Sequence, residues 1–305
     1  MSVDMSTITV IGQQNNRLLL DRLSAGAIEN RLHLMLLGPS GHGKTNLAYY
    51  FARQLEMETI ECLGSDIDSL IIALQNGVEG VIFIDEIHLI PLDSQEKLYK
   101  YLDTGRNLFI GATTDLDLLK EPLRNRFTVT LELESYSLIE LVNIALKETS
   151  DNELAWFAVH IGQLVPRKIL AAAKILRTLA LEQATLEEKI QSILMMSTNV
   201  LGIDRRSRAY LTAIAHGKPM GVSRISGIVN EKRSTLEIDV EPYLLRQGFI
   251  VSTPRGRQIT EWGLRTLELT DSMTEDSIKY LIGQSVANIN CWTEHPYSLG
   301  RAFAL

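Results

Sequence analysis

Little in this chain points to secretion, to a membrane or to a metal cluster. Its 305 residues include two cysteines. These are Cys62 and Cys291, far apart and without His or Cys neighbours at ligand spacing. This excludes a disulfide framework and a zinc pattern, and predicts reduced thiols in a cytoplasmic protein. No apolar run approaches the roughly 20 residues of a membrane span, and the N-terminus lacks the basic start and apolar stretch of a signal peptide. Basic charge is not in excess either. The net charge of −7 at pH 7 argues against a protein coated with cationic DNA-binding surface, although a few Lys and Arg in a local strip would suffice to follow a phosphate backbone. Internal repeats and low-complexity segments are absent. What remains, 45% apolar and 22% charged residues, is ordinary for a soluble globular protein. The length exceeds one typical core, so two or three domains are expected.

Against that background one segment stands out. Gly38-Pro39-Ser40-Gly41-His42-Gly43-Lys44-Thr45 fits G-x-x-x-x-G-K-[ST] at every fixed position. The apolar run Leu32–Leu37 precedes it and reads as a strand; Asn46–Leu55 follows it and reads as a helix. A strand, a glycine-rich turn and a helix N-terminus present backbone N–H groups and the positive end of a helix dipole to an anion. Gly38, Gly41 and Gly43 shape the turn, Lys44 reaches the β- and γ-phosphates, and Thr45 offers a hydroxyl to Mg²⁺. A chance glycine-rich turn is the plain alternative, and the flanking strand and helix argue against it. The second half of such a site is Val81-Ile82-Phe83-Ile84-Asp85-Glu86. Four apolar residues make a strand buried on both faces, and two carboxylates at its C-terminal end are costly to bury without a cation. Asp85 suits the Mg²⁺ set by Thr45, and Glu86 suits activation of a water that attacks the γ-phosphate of a bound nucleotide. Taken alone, the pair could merely cap a strand end.

A third strand, Leu108–Ala112, runs into Thr113-Thr114, then Pro122-Leu123-Arg124-Asn125-Arg126-Phe127. On residues alone, Arg124 and Arg126 could be a solvated basic pair. With GPSGHGKTNLA, FIDEIH, IGATTD and PLRNRF in order, the chain resembles the AAA+ class and, within it, the RuvB family of Holliday-junction branch-migration motors. The run Val240–Ile250 with Thr253-Pro254-Arg255-Gly256-Arg257 resembles that family's C-terminal winged helix. The match extends from about residue 8 to 268. The resemblance implies roles that spacing could not give. Val10-Ile11-Gly12-Gln13 resembles the stretch that packs on adenine, with Ile11 its apolar contact. Thr114 would be the sensor-1 residue. Arg126 would be the arginine finger inserted into a neighbour's site, and Arg167, in Val165-Pro166-Arg167, the sensor-2 residue of the lid. It also implies a homo-oligomer, a hexameric ring around double-stranded DNA.

The chain departs from the family in three places. The family carries a β-hairpin between the helix read here at Gln95–Leu102 and the third strand, and that hairpin docks on RuvA. Here only Asp103–Asn107 intervene, too few for two strands and a turn, which puts a RuvA-type partner in doubt. Ser40-Gly41-His42 replaces the family's usual Pro-Gly-Leu; His42 is either a bland surface residue or a pH-sensitive phosphate contact. The tail beyond Leu269 matches nothing.

Pattern changes along the chain divide it into an α/β ATPase domain with a parallel sheet (1–135), an all-α lid (136–200), a winged helix (201–269) and a tail (270–305). Val129–Leu133 reads as the last strand of the first domain. Ser137 with Glu140 three residues on fits a capping box that opens a helix. The winged helix is read as helices over Arg208–Ala215, Val222–Val229 and Ser234–Gln247, a stop at Gly248 and a hairpin over Phe249–Ile259. At the wing tip Arg255 and Arg257 are the candidate phosphate contacts. The third helix mixes Glu237, Asp239 and Glu241 with Lys232, Arg233 and Arg246, which suits sequence-independent DNA contact; a protein-contact role for the domain stays open. The tail carries a helical stripe at Ser277–Ile289 and the aromatics Trp292, Tyr297 and Phe303. These either pack on the winged helix or dock a protein partner. Two functions follow: an ATP-driven DNA translocase, or an ATPase that loads or remodels a protein partner on DNA.

Overall fold

The computed structural model describes residues 9–104, 106–196 and 198–269; the expectations for the tail, including Cys291, lie outside them. The chain divides after Tyr136 into two compact units.

The first unit is an α/β sheet. Its elements are α1 (Gln14–Ser24), β1 (Leu34–Leu37), α2 (Lys44–Gln54), β2 (Thr59–Leu63), α3 (Ile67–Gln75), β3 (Val81–Asp85), α4 (Leu92–Thr104), β4 (Leu108–Thr113), α5 (Glu121–Arg124) and β5 (Val129–Glu132). The five strands are all parallel, in the order β2-β3-β4-β1-β5. Alternate side chains of each inner strand enter opposite layers, because successive strand residues point to opposite faces. Leu34 and Leu36, Val81 and Phe83, and Leu108, Ile110 and Ala112 pack with α1 and α2. Met35, Ile82, Ile84 and Phe109 pack with α3 and α4. Both faces are covered, so these strands are apolar throughout.

The register sets up the site. β4 lies between β3 and β1, pairing Ile84 with Gly111 and Leu37 with Thr113. The end of β3, the end of β4 and the loop after β1 are therefore side by side at the carboxyl edge, where open α/β sheets bind ligands. α4 runs to Thr104 and β4 starts at Leu108. The connection is shorter than the sequence suggested, and there is no room for a hairpin.

The second unit begins with four helices: α6 (Leu138–Ala145), α7 (Asn152–Ile161), α8 (Pro166–Thr178) and α9 (Leu186–Met195). The capping box at Ser137 and Glu140 is present, and a second opens α9 at Thr185 and Glu188. After them come α10 (Arg205–Ala213), α11 (Val222–Val229), α12 (Arg233–Thr235), a π-helical turn over Leu236–Val240, α13 (Glu241–Arg246), the antiparallel hairpin β6 (Ile250–Thr253) and β7 (Gly256–Ile259), and α14 (Glu261–Leu269). The third helix expected over Ser234–Gln247 is thus interrupted. Pro242 has no N–H to offer the carbonyl four residues back, which explains a widened turn just before it. Gly248 (φ 70°) ends α13 in the left-handed conformation. Within this unit the lid helices join the winged helix through buried contacts. Tyr243 donates its hydroxyl hydrogen to the carbonyl of Leu201 at 2.5 Å, and His160 sits 3.4 Å from the same hydroxyl. The His160 ring packs against Trp156, centroids 4.1 Å apart and planes tilted by 50°. Complete burial holds the His160 pKa down to about 4.

Candidate functional site

The phosphate loop owes its shape to its glycines. Gly41 (φ 76°) and Gly43 (φ 94°) are left-handed, a conformation that costs a non-glycine residue energy. A Cβ at Gly43 would lie 3.0 Å from the hydroxyl of Tyr136, and one at Gly38 3.0 Å from Leu133. On the side of Leu133 and Tyr136 the loop is thus closely packed, and a Cβ at either glycine would be crowded. α2 starts at Lys44, so its first N–H groups face the loop. Lys44 is buried, its ammonium donating to the carbonyls of Gly38 (2.7 Å) and Pro39 (3.2 Å). His42 donates from Nδ1 to the Ser40 carbonyl at 3.1 Å, and its own carbonyl accepts from Tyr136 at 2.9 Å. This places the unusual histidine in the loop's own framework.

At the end of β3, Asp85 is half-buried and accepts a hydrogen bond from the Glu86 N–H at 3.0 Å. Glu86 itself is left-handed (φ 48°, ψ 48°). Such a conformation in a non-glycine persists only where its surroundings impose it, and it is a recurrent property of functional positions. One constraint is visible. A Cβ at Gly64, just past β2, would come within 2.4 Å of the Glu86 carbonyl oxygen. Gly64 therefore has to be glycine for the Glu86 backbone to pass. The hydroxyl of Thr45 and the carboxylate of Asp85 are hard oxygen donors, the set that suits Mg²⁺.

The two threonines after β4 have different surroundings. Thr113 is fully buried. Its hydroxyl donates to the Asp115 carbonyl at 3.0 Å and is hydrogen-bonded to Nδ1 of His88, also 3.0 Å away. The same Nδ1 lies 3.5 Å from Oε2 of Glu86. His88 ties the carboxylate expected to activate water to the end of the neighbouring strand. Thr114 is exposed directly beside this network. Sequence reasoning assigned neither His88 nor Gly64 a role; the FIDEIH string contained the histidine but not its direction.

The N-terminal stretch is clamped to the exit of β5. The amide of Gln13 donates to the Glu134 carbonyl at 2.7 Å and accepts from its N–H at 2.9 Å. Val10 enters the core, and Ile11 stays half-buried next to it. Arg126 follows α5. Its Nε and Nη2 donate to the two carboxylate oxygens of Asp103 at 2.8 and 2.9 Å, its Nη1 to the Pro122 carbonyl at 2.7 Å, and its guanidinium lies 4.1 Å from the Tyr99 ring centre.

In the second unit, Arg167 is exposed in the first turn of α8, behind Pro166. A cation there opposes the helix dipole, and the preceding Gln163 (φ 53°) and Leu164 (φ 62°) are both left-handed. Arg255 is exposed at the wing tip. Arg257, by contrast, is held within the domain. Nε and Nη2 both donate to Oε2 of Glu241 (3.0 and 2.8 Å), and Nη1 donates to the Ser252 hydroxyl at 3.0 Å. Glu241 is buried, and its other oxygen accepts from Tyr210 at 2.6 Å. The Arg257 charge neutralises a buried carboxylate. Burial and that same carboxylate push the Tyr210 pKa up.

Comparison with known proteins accords with this geometry. Residues 34–135 match the ATPase family associated with various cellular activities (AAA), and residues 200–268 match the RuvB C-terminal winged helix domain. The Holliday junction branch migration complex subunit RuvB of Ehrlichia ruminantium (strain Gardel) is 31% identical over 267 residues, 75% of this chain and 80% of that protein. The same subunit of Protochlamydia amoebophila (strain UWE25) is 32% identical over 270 residues, 76% of this chain and 81% of that one. Among solved structures, the Thermotoga maritima RuvB Holliday junction branch migration motor superposes with a TM-score of 0.67 at 28% identity, covering 85% of this chain and 95% of its own. The chain is therefore an ATP-hydrolysing member of the AAA class and belongs to the RuvB family.

Proposed function

We propose that this protein is an ATP-driven motor that assembles as a hexameric ring and translocates double-stranded DNA in the cytoplasm, in recombination, repair or replication. The observation that carries the reading is the carboxyl edge of the sheet. There the register brings a glycine-shaped anion loop, the acids of β3 and the threonine after β4 together, in a chain similar to RuvB branch-migration subunits over four-fifths of their length. In this reading Gly38, Gly41, Gly43 and Lys44 hold the phosphates and Ile11 packs on the adenine. Thr45 and Asp85 would hold Mg²⁺, which when bound neutralises charge on the phosphate oxygens. Glu86 takes the proton of the attacking water, with His88 fixing its carboxylate. Thr114 contacts the γ-phosphate, Arg126 reaches into a neighbouring subunit, and Arg167 reports nucleotide state from the lid. Arg255 is left as the wing's phosphate contact.

A partner of the RuvA type is not part of this proposal, since α4 and β4 are joined too closely for a docking hairpin. That same feature supports the second reading, a loader or remodeller acting on a protein bound to DNA. ATPase rates measured alone and with duplex, forked and four-way DNA separate the two. Stimulation by DNA of several-fold or more is expected; a rate indifferent to all three DNAs sinks the translocase. Glu86→Gln should bind ATP yet hydrolyse it far more slowly, because the amide keeps the shape and loses the base, whereas Lys44→Ala should weaken binding itself.

A further inference from the structure

Arg126 occupies an unusual setting for a side chain expected to work in another subunit. A guanidinium has five N–H donors in a rigid fork. Here three of them are committed within the chain, two to Asp103 and one to the Pro122 carbonyl. The flat face rests on Tyr99. The two remaining donors have no hydrogen-bond partner among the described residues. Asp103 is itself held. Its carbonyl accepts from Arg31 at 2.7 Å, and the carbonyl before it, of Leu102, accepts from Nε2 of buried His33 at 2.9 Å. The other nitrogen of His33 accepts from the N–H of Phe109 in β4, and its ring meets the edges of Phe109 and Phe127. One buried imidazole thus joins the end of α4, the start of β4 and the residue following Arg126.

From this geometry we propose that Asp103 is a positioning residue for the ATPase reaction. It orients Arg126 so that its two remaining N–H groups are presented outward, as one unit, to the phosphate of a nucleotide held by a neighbouring copy of this chain. The inference rests on the reading of Arg126 as a finger acting between subunits. The Asp103 side chain is 49% exposed and that of Arg126 28%. With Asp103 half exposed, water can solvate its carboxylate when the pair is opened, so the pair's contribution to stability is modest. What it supplies is direction, and transition-state contacts lose roughly 10²-fold in rate when a charged group is displaced by about an ångström.

The test is ATP turnover by the full chain carrying Asp103→Ala, Arg126→Ala or both, with thermal melting of each. Expected is a fall in kcat of roughly 10- to 100-fold for Asp103→Ala, a KM for ATP within about twofold of wild type, and a double variant no slower than Arg126→Ala alone. Addition of Lys44→Ala subunits should restore part of the Asp103→Ala activity, because they supply a correctly held finger to intact sites. Asp103→Asn, which keeps one acceptor, should fall between wild type and alanine, and carries the test if the alanine variant melts early. Wild-type kcat in both Asp103 variants, with Arg126→Ala impaired, overturns this proposal alone. So does a double variant whose losses multiply. Full activity of Arg126→Ala would instead remove the finger reading beneath it.

Discussion

Two corners of the molecule place an arginine against a carboxylate in nearly the same way but in very different surroundings. Arg126 and Arg257 each donate Nε and Nη2 to an acid. Asp103 is 49% exposed, whereas the Glu241 side chain is 4% exposed and shares a hydroxyl hydrogen bond with Tyr210. Leaving Asp103 without its partner costs little, since water replaces the guanidinium. Leaving Glu241 without Arg257 strands a charge where water cannot reach it. The lesson is that an arginine paired with an acid is the more easily freed for another partner the better water can solvate that acid.

That contrast can be broken at either end. The largest effect is expected at Arg126. Its replacement by Ala should cut turnover by roughly 10³ or more, the range of arginine fingers, with ATP affinity and melting temperature nearly unchanged. A variant that instead unfolds readily would put Arg126 in the same class as Arg257. For Arg257→Ala the prediction reverses: ATPase activity without DNA stays near wild type, while the second unit loses about 3 kcal/mol of stability. Chemical denaturation monitored by Trp fluorescence would measure it, and Glu241→Gln in the same chain should recover part of the loss by removing the stranded charge. No destabilisation in Arg257→Ala would mean the buried pair is not what holds that arginine.

Acid should weaken both units through buried imidazoles. Burial lowers the His33 pKa, with Arg31 adding to the effect while the Leu102 carbonyl and Asp103 oppose it; burial lowers His160 to about 4. Both must stay neutral in the folded state, so the unfolded chain binds more protons below its ordinary histidine pKa of about 6.5. Stability should be full above that pH and fall as pH drops toward 4, with a slope of up to about 1.4 kcal/mol per pH unit for each histidine. His160→Gln should flatten the curve; an unchanged slope would remove His160 from it. The smallest effect belongs to the wing. Arg255→Ala should lower the slope of log K against log salt by about one unit on two unrelated duplexes. Arg257→Ala, compared under conditions where it is folded, should leave that slope alone. Equal changes in both would erase the distinction drawn here.

How far the sequence could be read depended on whether a feature is local. The loop Gly38–Thr45, the strands β1, β3, β4 and β5, the capping box at Ser137, and α11 were all legible, because each depends on residues close together in the chain. β2 was overlooked. It is an edge strand whose TIECL run is only half-buried, so it lacks the continuous apolar signature of its buried neighbours. α14 was not foreseen, nor was the π turn ahead of Pro242. Among site residues, the sequence could nominate Glu86 and Thr114 but not the histidine between their strands. His88 matters because β4 lies beside β3, and strand order is not written in either strand.

The sequence by itself determined a phosphate-binding loop on an α/β sheet, the paired acids at the end of β3, the absence of a hairpin before β4 and the winged helix that follows. Each of these is a matter of spacing along the chain, where backbone geometry and side-chain period suffice. Only the tertiary structure decided which charges are available for work. Asp103 is 23 residues from Arg126, and Glu241 16 residues from Arg257. Whether such a pair is exposed or buried depends on what the rest of the fold packs around it, and that burial sets the cost of separating the charges.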